Sequence, residues 1–288
     1  MNISRNHPQV MGTRFGEVLF SQWMELERLR KVVLKRKATK DIHDLRVASR
    51  RIRATLALIA PFIRERLLKQ LGRKLRRFTS ELGQLRNIDE ALIYFAPHET
   101  TLPGLIRALV AARKRELRLV LQNLKQFSTS EIDQMFRLVV EDLTGHTQLY
   151  ELDSIMPAYL SQTAVTRFQE LYNLLPSAVD PENWATRHDL RIAVKKWRYL
   201  LESMSQIFSH NYQDALDLLK EYQSILGRLN DMTEFKALCD RMKLTDDEKT
   251  QQDLLLENDT AMYLDRFLIM VESRRPKYTF QNIWSPAQ

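Results

Sequence analysis

The segment HDLRVASRRIRATLALI, His43 through Ile59, returns 145 positions later as HDLRIAVKKWRYLLESM, His188 through Met204. In each copy a polar residue recurs at steps of three, four and three: His43, Arg46, Arg50 and Arg53, then His188, Arg191, Lys195 and Arg198. That spacing is one face of an α-helix. The other face is apolar, through Leu45, Ile52, Leu56 and Ile59 in the first copy and Leu190, Trp197, Leu201 and Met204 in the second. Like charges one turn apart destabilise an isolated helix by roughly 0.2–0.5 kcal/mol per pair. A cationic stripe kept twice therefore calls for an external offset, and a bound anion is the simplest.

A second block repeats in the same order: LGQLRNIDE from Leu82 aligns with LGRLNDMTE from Leu226, at an offset of 144. Two blocks repeating across half a chain predict a duplicated helical bundle rather than a solenoid of short units. Composition agrees. The 288 residues include only 7 Gly and 9 Pro, and 44% are hydrophobic, enough for a real core. No alternating strand pattern competes. The expected helices run near 14–37, 42–59, 63–83, 88–95, 103–126, 130–143, 156–175, 185–208, 211–227, 231–242 and 247–271, with the division between halves near Gly145 to Ser154. Asp41 and Thr186 read as N-caps, which puts His43 and His188 in the first helical turn. Asn87 with Glu90, and Asp231 with Glu234, read as further helix starts after Gly83 and Gly227, an architectural block rather than a chemical one. Pro97, Pro103, Pro176 and Pro181 punctuate loops, and Pro61 ends or kinks the first repeat helix. The aromatic stretch from Pro276 to Gln288 is expected to dock on the body.

The net charge of +8 is unevenly spread. Residues 1–145 hold 28 Lys and Arg against 15 Asp and Glu, while residues 146–288 hold 16 against 21. Within the first half, Arg28 to Arg77 carries 18 basic residues against Asp41, Asp44 and Glu65. Such a field attracts a polyanion. The second copy keeps its cations in an otherwise acidic half, with Arg187, Arg191, Lys195, Lys196 and Arg198 supplying 5 of the 16. Arg66, Lys69, Arg73, Arg76 and Arg77 continue the basic spacing on the next helix. Arg107, Lys114, Arg118 and Lys125 form a looser series on a later one, equally readable as a solvated outer face.

A lone Cys239 cannot form an internal disulfide. The start MNISRNHPQV has no apolar core of a secretory signal, and no apolar run reaches about 18 residues. A cytoplasmic protein without membrane contact is expected. The chain contains no HExxH, no Walker glycine loop, no CxxC pair and no DxD near the basic helices. No catalytic residue, metal ligand or cofactor site is therefore assigned.

HDLRVASRRIR and HDLRIAVKKWRY, with the two LGxL blocks in order, closely resemble the CHAD family, the conserved histidine α-helical domain. The resemblance implies an all-α fold of two pseudo-symmetric helical bundles, residues 1–145 (basic) and 146–288 (net acidic), which together form one domain around a shared central basic channel. It implies binding of inorganic polyphosphate and, in bacteria, association with polyphosphate granules and their proteins. The family's basic motif falls on His43, Arg46, Arg50, Arg51 and Arg53, and on His188, Arg191, Lys195, Lys196 and Arg198, with Lys69, Arg73, Arg76 and Arg77 extending the surface. Many relatives add a triphosphate-processing CYTH domain; this chain reads as a stand-alone member. Polyphosphate offers charge and oxygen acceptors but no bases, so arginine forks suit it. The histidines can each donate to a phosphate oxygen, and protonation adds charge as pH falls. Two other functions compete. A phosphoanhydride-processing enzyme could use a histidine nucleophile with arginine stabilisers. A nucleic-acid binder could use the same field nonspecifically, although the stripes carry few aromatics for base stacking. A granule scaffold that recruits other proteins through the acidic half is a third reading.

Overall fold

The computed structural model describes residues 11–145, 149–208 and 211–281. Among these the chain is helical throughout, with no strand. The α-helices are α1 (Met11–Arg36), α2 (Thr39–Leu58), α3 (Glu65–Phe95), α4 (Pro103–Gln126), α5 (Thr129–Thr144), α6 (Leu149–Ala178), α7 (Trp184–Phe208), α8 (Gln213–Cys239), α9 (Asp246–Ser273) and α10 (Tyr278–Gln281). Short 3₁₀ turns at Ala60–Phe62 and Ala96–His98 carry Pro61 and Pro97, and Pro103 opens α4. In that first helical position proline's missing N–H costs nothing.

The chain divides into two compact units, each drawing on both halves of the sequence. The first comprises residues 1–79, 127–166 and 199–211; the second comprises 80–126, 167–198 and 212–288. Three helices, α3, α6 and α7, pass from one to the other.

In the first unit α1 packs on α2 and α5. Its Phe15, Leu19, Trp23, Leu26 and Val33 are fully buried, as are Ile42, Leu45 and Ile52 of α2 and Phe136, Val139 and Leu143 of α5. The Trp23 ring stacks on Phe136 at 5.0 Å while its indole N–H donates to Asp133 at 3.2 Å, so the largest core side chain leaves no polar group unmatched. Gly16 lets α1 come close to α5, since a Cβ there would lie 3.3 Å from Val140. Burial at 25 cal/mol per Å² makes each such aromatic or leucine worth about 1.5–3 kcal/mol.

The second unit is built on Phe95, Leu105, Leu109, Phe235, Cys239 and Leu256 from α3, α4, α8 and α9. Thr245 and Glu248 form a capping box at the start of α9, and Glu248 also accepts from the Gly104 N–H near the start of α4 at 2.5 Å. One carboxylate thus serves two helix N-termini. The C-terminal stretch docks as far as it is described: Trp197 donates to Thr279 at 2.9 Å and Phe280 stacks on Phe168 at 4.6 Å. Ile283 and Trp284 lie outside the described residues.

Several boundaries differ from the sequence reading. Helices α3 and α8 run straight through Gly83 and Gly227, so Asn87 and Asp231 sit inside helices rather than at their starts. The apolar rows Leu82, Leu85 and Ile88, and Leu226, Leu229 and Met232, stay buried across these glycines. That burial outweighs the roughly 1 kcal/mol a helical glycine costs. Pro176 lies in the last turn of α6 rather than in a loop. Helix α2 starts after Ala38, not at Asp41. At the start of α7 the Asn183 side chain, not Thr186, accepts from the N–H three residues on, at 3.2 Å. His43 and His188 are each the fifth residue of their helix, one turn deeper than expected.

Candidate anion-binding site

In the first unit the α2 stripe presents an exposed His43 and partly buried Arg46, Arg50 and Arg53. Burial, and then the like charges of Arg76 and Arg50, hold the Arg53 guanidinium below its ordinary value. Three arginines from α2 and α3 are thus gathered in one place, and among the described residues none of the three is ion-paired. Arg50 lies over the Tyr199 ring, 5.7 Å from its centroid. Tyr199 is 8% exposed and backs a cation. Lys69, Arg73, Arg76 and Arg77 are exposed on α3, with Lys69 bridged to Glu65 at 2.5 Å.

In the second unit the α7 stripe grades from open to covered. His188 and Arg191 are partly buried, while Lys195 and Arg198 are only 9% and 8% exposed. Arg198 donates to Gln223 of α8 at 2.8 Å. The His188 Nδ1 lies 2.8 Å from Asn230 Oδ1, and Arg191 donates to that same oxygen at 3.4 Å. Arginine can only donate, so the amide presents its oxygen, and Nδ1 of His188 carries the hydrogen. A neutral His188 then spends its one N–H on Asn230. It can donate to a phosphate through Nε2 only when protonated, which corrects the expectation that either form would serve.

Asp231 lies among Arg191, Arg228, Lys195 and Arg86. Burial pushes its carboxyl up, and the four cations only partly offset the rise. The block read as architecture therefore supplies Asn230 and Asp231 to the site, along with Arg86 and Arg228. The available signal was a run of polar residues, Asn230 and Asp231, between buried leucine and methionine.

Two motif positions stand apart from the stripes. Arg51 pairs with Glu202 at 3.4 Å and Lys196 with Glu170 at 3.6 Å. Each follows its histidine by eight residues, which turns it about 80° from the histidine and about 120° from the centre of the stripe. Arg187 also serves elsewhere: buried at 8% exposure, it donates to the carbonyls of Asp180 and Pro181 and clamps the loop before α7. On α4, Arg107, Lys114, Arg118 and Lys125 are exposed. A cavity of about 480 Å³ lined by Asn87, Ala111, Arg115, Glu234, Ala237 and Arg241 includes no stripe residue. Among the described residues no group of three His, Cys, Asp or Glu is placed to hold a metal, and no helix is long and apolar enough to cross a membrane.

The CHAD domain family model matches residues 17–240. Two solved structures share the fold. The CHAD domain from the plant Ricinus communis superposes with a TM-score of 0.65 at 19% identity, covering 93% of this chain and 88% of that one. PptA from Streptomyces chartreusis gives a TM-score of 0.65 at 17% identity, covering 96% of this chain and 99% of that one. No curated protein matches the sequence.

Proposed function

The chain belongs to the CHAD domain family, and from that premise we propose that it binds inorganic polyphosphate through the cationic stripes of α2 and α7, without catalysis of its own. The observation that carries the reading is the gathering of Arg50, Arg53 and Arg76, a like-charge cluster with no ion-paired carboxylate among the described residues. Such a cluster opposes itself in the free protein, and a dense polyanion relieves it. Arginine forks suit the non-bridging oxygens of successive phosphates. We propose further that the chain is an internal duplication whose two stripes serve one polymer along a shared basic channel, and that the protein works in the cytoplasm at polyphosphate granules.

The test is direct binding of long-chain polyphosphate, triphosphate and single-stranded RNA, with released phosphate assayed with and without Mg²⁺. Tight, chain-length-dependent binding without turnover is expected. Arg46→Ala with Arg50→Ala, and Arg191→Ala with Lys195→Ala, should each weaken it while helicity by circular dichroism stays unchanged. RNA binding as tight at matched charge would favour the nucleic-acid reading, and phosphate release that needs His43 or His188 would favour an enzyme.

A further inference from the structure

The α7 stripe begins one turn before His188. Trp184, His188, Arg191, Lys195 and Arg198 step by four, three, four and three, and Trp184 falls at the centre of that face. It is 62% exposed, the open end of a stripe that closes to 9% at Lys195 and 8% at Arg198. We propose that this face of α7 holds a nucleoside polyphosphate, its base stacked on Trp184 and its phosphates laid along His188, Arg191 and Lys195. The inference rests on the anion-binding reading of the stripe and adds the ligand class.

Three further observations support it. The exposed indole sits on fixed backbone: Asn183 caps α7, the Trp184 N–H donates to Glu182 at 3.1 Å, and Arg187 ties down the loop through the carbonyls of Asp180 and Pro181. A large flat apolar surface held open at the head of a cationic track is how bases of single-stranded nucleotides are seated. The loop also brings Asp180 and Glu182 beside Arg187. Their charges disfavour a phosphate at the mouth of the stripe and leave a neutral base unopposed. Finally, the aromatic belongs to α7 alone. The corresponding first residue of α2 is Thr39. Along the axis Trp184 lies about 6 Å from His188 and about 16 Å from Lys195 at 1.5 Å per residue, a span suited to a base followed by a short phosphate chain.

Calorimetric titration of the full chain with a purine nucleoside triphosphate, tripolyphosphate, long-chain polyphosphate and oligoadenylate tests the proposal in wild type, Trp184→Ala and Trp184→Phe. The nucleotide should bind more tightly than tripolyphosphate. Trp184→Ala should weaken it by roughly 5- to 150-fold, the effect of losing one stacked base, while polyphosphate and tripolyphosphate are unaffected and Trp184→Phe restores much of the loss. Nucleotide binding no tighter than tripolyphosphate, with polyphosphate binding intact, would overturn this inference alone. Equal losses for nucleotide and polyphosphate in Trp184→Ala, or oligoadenylate binding more tightly than the nucleotide, would overturn it as well. Binding of none of the four ligands would sink the stripe as an anion site altogether.

Discussion

Asp231 is the residue whose presence needs the most explanation. It sets a carboxylate among Arg191, Arg228, Lys195 and Arg86, yet burial raises its affinity for a proton by more than those cations lower it. A carboxyl with a raised folded-state value favours the fold fully at pH below its ordinary value of 3.8, and that contribution is lost as pH rises through the folded value. At neutral pH the ionised Asp231 therefore works against stability. On the proposed function it also competes with phosphate for Arg191 and Lys195. Asp231→Asn should raise the melting temperature at pH 7, with the difference from wild type vanishing below about pH 4, and should tighten polyphosphate binding at pH 7. A variant less stable than wild type at pH 7 would mean the four cations hold the carboxylate as a structural pair. The role of Asp231 was not legible in the sequence, because its cations come from three helices and the repeated blocks that carry Arg86, Arg228 and Asp231 read as architecture. Arg51 and Lys196 were legible in the opposite sense. Motif membership placed them in the site, whereas their eight-residue spacing from the histidines turns them toward Glu202 and Glu170. Arg51→Ala and Lys196→Ala should each weaken polyphosphate binding less than Arg50→Ala or Arg191→Ala in the same titration.

At the level of the helices, periodicity located nearly every element, while the punctuation misled. Gly83 and Gly227 were read as breaks, but a local propensity of about 1 kcal/mol cannot end a helix whose apolar row continues on both sides. Caps failed for a related reason. Asn183 and Thr186 are both good cap residues, and which one is used depends on the loop that Arg187 fastens, a contact no local pattern contains. Gly227 offers a clean check. It lies inside α8, and a methyl group added there would meet no atom within 4 Å. Gly227→Ala should therefore stabilise the protein by about 0.5–1 kcal/mol, read as a higher denaturant midpoint at unchanged slope. Destabilisation would show that α8 needs a break at that point. Gly104 should behave oppositely, because a Cβ there would meet the buried Glu248 carboxylate at 2.5 Å and displace it from the α4 N-terminus.

Over the whole molecule the charge contrast is smaller between the compact units than between the sequence halves, but it keeps the same sense. The first unit holds 21 basic and 13 acidic residues, a net of +8, and the second holds 23 of each. On the proposed function, long-range attraction of a polyanion falls to the first unit, and the second holds its ligand by local contacts at His188, Arg191 and Lys195. The two contributions separate in a salt titration. Each cation engaged with a flexible single polyanion adds about 0.7 to the slope of log affinity against log salt. Arg46→Ala with Arg50→Ala should lower that slope by about 1.4, and Arg191→Ala with Lys195→Ala should lower it equally if one polymer engages both stripes. Association rates should respond differently, falling more for the first pair than for the second, because steering depends on net field and holding depends on contact. An unchanged slope in the Arg191→Ala, Lys195→Ala variant would confine polyphosphate to the first unit and leave the α7 stripe for a different anion.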